Sequence, residues 1–173
     1  LYQLLSTDKK IIRSPRSYNS QIGVPLSVWQ MDATADMAIF EAGISMPGEM
    51  DALEKIIQPT IGVLTNIGDA HNEGFKDHAE KLQEKLKLFN NCKTVIARKE
   101  DIPEIKAGAN VLTWGYSNNN TFIISGINKQ KEATQLNVRY KETQIHLSIP
   151  FTDHASIENA ITCICVLLQL RMN

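Results

Sequence analysis

The 173-residue sequence has no apolar run long enough to span a bilayer, and its first residues, LYQLLSTDKK, lack the charged segment and apolar core of a secretory signal. No membrane association is expected, and a cytoplasmic location is. Neither sign of charge is in excess: 18 Lys and Arg against 19 Asp and Glu leave a net charge of −1. That balance offers no electrostatic footprint for nucleic acid, so nucleic acid is not an expected partner. Cysteine is scarce, with only Cys92, Cys163 and Cys165 present. The odd set without metal-finger spacing argues against a disulfide framework and points to reduced thiols. Cys163 and Cys165 lie two apart on an expected helix, face different directions and read as packing residues. Internal repeats and low-complexity segments are missing too. So is an initiator Met, and Leu1 to Leu5 reads as the last turns of a helix, so the chain is expected to be a piece of a longer protein.

What the chain does have is 43% hydrophobic residues, enough for one domain with a sizeable core. It is organised around Asp36 to Phe89. There two short apolar runs, Met37 to Phe40 and Ile61 to Leu64, end in polar or small residues, Glu41-Ala42-Gly43 and Thr65-Asn66-Ile67-Gly68. Both read as buried strands of a parallel α/β sheet, in which chemistry collects at the carboxyl edge. Glu41, Asn66 and His71 would share that rim.

Upstream, Lys10 to Arg13 is β-prone and leads into Ser14 to Gln21, a stretch of turn formers carrying many hydrogen-bond donors. Gly23-Val24-Pro25 opens a helix expected to run through Leu26, Val28, Trp29 and Met31. Pro47-Gly48-Glu49-Met50 opens another, with Leu53, Ile56 and Ile57 at helical spacing and Pro59 as its stop. Strand, helix and strand predict a βαβ unit from Met37 to Leu64. Asp77 or His78 starts the next helix, with Ala79, Leu82, Leu86 and Phe89 on its apolar face. Glu49 and Glu54 read as solvated or helix-end charges, and His78 and His146 as a helix-start and a strand-surface histidine. Further on, Lys93 to Ala97 and Asn110 to Trp114 read as strands. Residues 121–149 alternate apolar and polar positions, which predicts a small antiparallel sheet appended to the parallel one. Ala155 to Met172 reads as a long apolar helix packed across the main sheet.

At about 100° per residue, Lys85 falls roughly 70° from the centre of its helix's apolar stripe, whereas Lys81 and Lys87 fall more than about 100° away. Lys85 either snorkels, its stem covering apolar surface, or points along a buried wall toward the rim. A carboxylate at one strand end, a histidine past the next and a lysine on the following helix suit a hard-metal site beside phosphate. Mg²⁺ takes oxygen ligands and keeps several waters. A bare ammonium repels the cation, but a lysine carbamate would present two anionic oxygens.

Ser14-Pro15 through Asn19, Gly23-Val24-Pro25, the G-x-x-x-x-G-E-M pattern from Gly43 to Met50, the N-I-G-x-A-H-x-E-G-F pattern from Asn66 to Phe75, and Lys85 ahead of Phe89 together resemble the central domain of the Mur ligases. The match spans nearly the whole chain. It implies an α/β fold, a mostly parallel sheet flanked by helices in the P-loop-NTPase-like manner. The last two patterns resemble the branch that adds D-alanyl-D-alanine to UDP-N-acetylmuramoyl-tripeptide. The resemblance implies that ATP, with Mg²⁺, converts a substrate carboxylate to an acyl phosphate, which the incoming amine attacks. By the same resemblance Glu41 and His71 correspond to Mg²⁺ ligands and Lys85 to a carbamylated lysine serving a second ion, the three forming the catalytic set. Asn66 corresponds to a residue lining the nucleotide pocket, and Ser17, Asn19 and Ser20 lie in the loop that meets the UDP-sugar peptide.

Two departures stand against the family pattern. The phosphate-binding loop G-x-x-G-K-T is not in the sequence, and Leu1 would fall on the helix that follows it. At the last helix the family's adenine-contacting H-N-x-x-N-A aligns with Ala155 to Ala160, so that Asn159 matches while His154 sits one residue early. The implied partners include N- and C-terminal domains of the same protein, and the 173 residues alone are expected to be inactive. A fused alanine racemase is a further possibility that the resemblance leaves open. Three classes remain: this ligase, a related ligase of the folylpolyglutamate type with another acceptor, and a non-catalytic α/β binding domain.

Overall fold

Short apolar runs form the strands, and Gly, Asp and Glu residues decide where the helices begin. The computed structural model describes residues 1–66, 74–102 and 109–171. They belong to two compact units, one from Leu1–Thr60 and Gly68–Cys92, the other from Ile61–Ile67 and Lys93–Asn173.

In the first unit, β1 (Ile11–Arg13) and β2 (Met37–Ile39) pair in parallel, with Ile11 opposite Met37. Between them the chain forms α2 (Gly23–Val28), after the short α1 (Tyr2–Leu5) at the start. Pro25 lies in the first turn of α2, where a missing N–H leaves no helical bond unmade. Two longer helices follow, α3 (Glu49–Ile57) and α4 (His78–Leu86). Gly48, at φ 90°, turns the chain into α3, and Gln58, at φ 46°, ends it just before Pro59. Asp77 caps α4 by accepting the Glu80 N–H at 2.8 Å, while Glu80 reaches back to the Lys76 N–H at 2.6 Å. Val24, Ile44, Met50, Leu53 and Phe75 form the core of this unit.

The second unit is a six-stranded sheet in sequence order: β3 (Ile61–Val63), β4 (Thr94–Arg98), β5 (Asn110–Gly115), β6 (Phe122–Lys129), β7 (Thr134–Tyr140) and β8 (Thr143–Ile149). β3 to β6 run parallel, and β6, β7 and β8 are antiparallel. The expected mixed sheet is therefore one continuous layer. Leu136 and Val138 of β7 are buried, as alternation requires, and the Phe122 and Tyr140 rings stack at 4.7 Å. The long helix α5 (His154–Gln169), capped by Asp153, packs on β4 and β5 through a face that includes Ile157, Ile161 and Cys165.

Several expectations are corrected. β2 and β3 hydrogen-bond in different sheets, so β2, α3 and β3 are not a βαβ unit; the parallel pair joined through a helix in this unit is β1 and β2. Helix α2 stops at Val28, and Trp29 beyond it is 90% exposed. On α4 the most buried residues are Lys81 and Glu84, each 3% exposed, while Leu82 and Leu86 are half-buried and Ala79 is exposed. Glu54 is buried and accepts the Asn91 side-chain amide at 2.7 Å, so it is not a solvated charge.

Two glycines are required for different reasons. A Cβ on Gly48 meets nothing within 4 Å but must sit at φ 90°, whereas a Cβ on Gly74 would collide with the Ser45 carbonyl oxygen. Gly48→Ala should cost about 1 kcal/mol through backbone strain, and Gly74→Ala about 2–3 kcal/mol through the collision. Urea unfolding midpoints should fall in that order.

The thiols differ as well. Burial, with the Glu54 charge added, pushes the Cys92 thiol up to about 11, burial pushes Cys165 up further, and Cys163 is half-buried. A thiolate-directed reagent at pH 8 should modify Cys163 first, leaving Cys92 and Cys165 until the chain unfolds; peptide mass mapping after timed labelling would show the order.

Candidate functional site

The chain beyond β2 is held by the loop after β1. Buried Ser14 donates its N–H to the Ile39 carbonyl at 3.1 Å and accepts the Glu41 N–H on its hydroxyl at 3.3 Å. Pro15 then turns the chain, and the Tyr18 N–H returns to the Pro15 carbonyl at 3.2 Å. This brings Asn19 over the strand end. Its Nδ2 donates to Glu41 Oε1 at 2.9 Å, and its carbonyl accepts the Gly43 N–H at 2.7 Å. Glu41 is thus fixed at both backbone and carboxylate, yet the side chain stays exposed.

Helix α4 supplies Lys85. Its amine is half-buried, and its pKa is lowered first by burial and then by the like charge of Lys81, one helical turn away; the Glu41 carboxylate opposes both. Lys87, two residues on, behaves in the opposite way. Hydrogen bonds to Glu84 at 2.7 Å and Asp51 at 2.9 Å raise it to about 12. The end of α4 therefore carries a lysine whose pKa is lowered and is followed at once by one held as a cation.

Within the first unit Asn19 lies on Glu41, and the charge of Glu41 is felt at Lys85. Ser17 is exposed in the same loop, and the Ser20 hydroxyl accepts the Gly23 N–H at 3.2 Å, where α2 begins. Asn66, exposed after β3, and Asn159, exposed on α5, belong to the second unit. His154, also on α5, lies 3.6 Å from Glu158. His71 lies outside the described residues. Among the described residues no three His, Cys, Asp or Glu side chains gather as a metal cluster. No described helix is long and apolar enough to cross a membrane.

The sequence reading missed Ser14 as the residue that anchors Glu41, although Ser14-Pro15 marked the turn. It also missed Lys81, whose position four residues before Lys85 on the same helix was the available signal.

A six-stranded sheet that runs parallel through β6 and antiparallel after it, with α5 packed on it, is an α/β architecture with a mixed sheet. The chain matches the Mur ligase middle domain over residues 1–167 and belongs to that family. Among curated relatives, the UDP-N-acetylmuramoyl-tripeptide--D-alanyl-D-alanine ligase of Borreliella burgdorferi is 40% identical over 51% of this chain and 19% of its own length. The Bacillus subtilis enzyme of the same name is 24% identical over 95% of this chain and 36% of its own. The chain thus spans little more than a third of that relative. The MurF ligase of Thermotoga maritima, solved in complex with ADP, superposes with a TM-score of 0.85 at 21% identity, covering 99% of this chain and 42% of that one.

Because Glu41 and Lys81 act on Lys85 with opposite sign, their removal should move it in opposite directions. Glu41→Gln should lower the Lys85 pKa further, and Lys81→Met should raise it. NMR titration of lysines labelled by reductive ¹³C-methylation reads both shifts, with Lys87 as the high-pKa reference.

Proposed function

We propose that this chain is the central domain of an ATP-dependent amide ligase of peptidoglycan precursor synthesis, of the MurF kind, which joins D-alanyl-D-alanine to UDP-N-acetylmuramoyl-tripeptide. The observation that carries the reading is the half-buried Lys85 amine under the field of the anchored Glu41 carboxylate, in a chain of the Mur ligase family. The names of the relatives and the ADP bound to a structural neighbour support the nucleotide and the acceptor. In this reading residues 1–173 act as one central domain working with further domains of the same protein.

The chemistry of the donors fits Mg²⁺. Glu41 offers hard carboxylate oxygen, exposed and oriented by Asn19, which suits a cation that keeps part of its water shell. An ammonium at Lys85 does not suit a cation; a carbamate does. Burial biases Lys85 toward its neutral amine, the form that attacks CO₂. The nitrogen bonds to carbon, one N–H proton passes to water, and the lysine acquires a carbamate whose single negative charge is shared by two oxygens. Glu41, His71 and the modified Lys85 would hold the cations. When bound, these would neutralise charge on phosphoryl oxygens. Asn66 and Asn159 are proposed nucleotide contacts. Ser17, Asn19 and Ser20 are proposed to face the UDP-sugar peptide, with Asn19 also orienting Glu41.

Lys85→Ala in the complete ligase should abolish phosphate release that depends on both the UDP-tripeptide and D-alanyl-D-alanine. Added acetate or another short carboxylic acid should restore part of it by supplying the missing oxygens. An alanine variant with undiminished turnover would overturn the reading.

A further inference from the structure

Next to Lys85 lies Glu84, a buried carboxylate about 100° around the helix from it. Its Oε1 accepts the Gly48 N–H at 2.8 Å and the Met50 N–H at 3.1 Å, and its Oε2 meets Lys87 Nζ at 2.7 Å. Lys87 also bonds Asp51 of α3 at 2.9 Å. Helix α3 has no cap from its own N-cap residue, since Gly48 has no side chain, so the carboxylate of α4 caps it from outside.

Such a joint is a costly way to hold two helices together. A buried carboxylate pays a desolvation penalty that a leucine or methionine in the same place would avoid. What the carboxylate adds is direction: two N–H groups at the start of α3 converge on Oε1, and Lys87, bonded to Oε2, ties the end of α4 to Asp51 of α3, so that a single rotation of α4 about its axis satisfies them. Lys85 follows Glu84 in sequence and must turn with it. At a helix radius with side chains of about 5–6 Å, a roll of roughly 20° moves the lysine tip by about 2 Å. Misplacement of about 1 Å can cost on the order of a hundredfold in rate.

We propose that Glu84 is a positioning residue: its carboxylate, held between the first turn of α3 and Lys87, sets the rotation of α4 and so the place of Lys85 relative to Glu41. This rests on the ligase reading, in which Lys85 acts at the reacting centre. In this role Glu84 acts through Lys85 and is not itself a ligand of the substrate or of a metal ion.

The test uses the complete ligase. Glu84→Ala removes the acceptor of both N–H groups and the partner of Lys87, whereas Glu84→Gln keeps an oxygen where Oε1 stands. Glu84→Ala should lower kcat at least tenfold with the KM for ATP within twofold of wild type, and Glu84→Gln should recover kcat to within about threefold. A Glu84→Ala enzyme with wild-type kcat, or a Gln variant no better than Ala, would overturn the proposal. Should Glu84→Ala fail to fold by circular dichroism, Lys87→Met decides. It keeps the two N–H bonds but loosens the joint, and should lower kcat severalfold at unchanged KM; unchanged kcat would count against positioning. Lys85→Ala is assayed alongside. If that variant is inactive while Glu84→Ala is fully active, only the positioning idea fails, whereas an active Lys85→Ala enzyme removes the reading beneath it.

Discussion

The buried carboxylate of Glu84 is the constraint on which the first unit depends. Moving a carboxylate out of water costs several kcal/mol even after relaxation, and that is recovered only when its oxygens are fully engaged. Here the N–H groups of Gly48 and Met50 meet one oxygen and Lys87 the other. The first turn of α3 also carries the positive end of the helix dipole, which favours an anion at that place. Gly48 makes the approach possible by taking φ 90° with nothing within 4 Å of where a Cβ would stand.

The remaining charges of the unit are arranged around that joint. Lys87 is tied to Glu84 and Asp51 and stays a cation, so Glu84 is neutralised locally. Lys85 points elsewhere on the helix and meets a different field: burial and Lys81 against Glu41. Two lysines only two residues apart are thus set to opposite tasks by what surrounds them. The strand-end carboxylate is organised in parallel, through Ser14 on its backbone and Asn19 on its Oε1. Neither anchor is charged, so the negative charge of Glu41 is left uncompensated by them and is felt at Lys85.

Much of the fold was legible because it is written in local patterns. The alternation in β7 and β8, the continuous apolar run of β4 and the Asp-x-x-Glu start of α4 each depend on residues within one element. The assignments that failed needed distant information. Met37 to Phe40 and Ile61 to Leu64 look alike as apolar runs, and nothing within either says that one pairs with β1 and the other with β4. On α4, periodicity placed Lys81 away from the core because it counts apolar side chains. The structure buries Lys81 and Glu84 instead, and for Glu84 the reason is visible: donors presented by another helix satisfy it there. The stop of α2 at Val28 and the exposure of Trp29 were likewise hidden, since an apolar residue signals burial only on average.

The sequence by itself determined the family, the order of elements, the mixed sheet and the identity of the chemical groups, because motifs and periodicities are properties of neighbouring residues. Tertiary structure alone decided that Asn19 lies on Glu41, that Glu84 caps a helix it does not belong to, and that Lys85 is pulled toward neutrality while Lys87 is not. Those facts turn on dielectric surroundings and on the meeting of groups tens of residues apart, and both come into being only when the chain is packed.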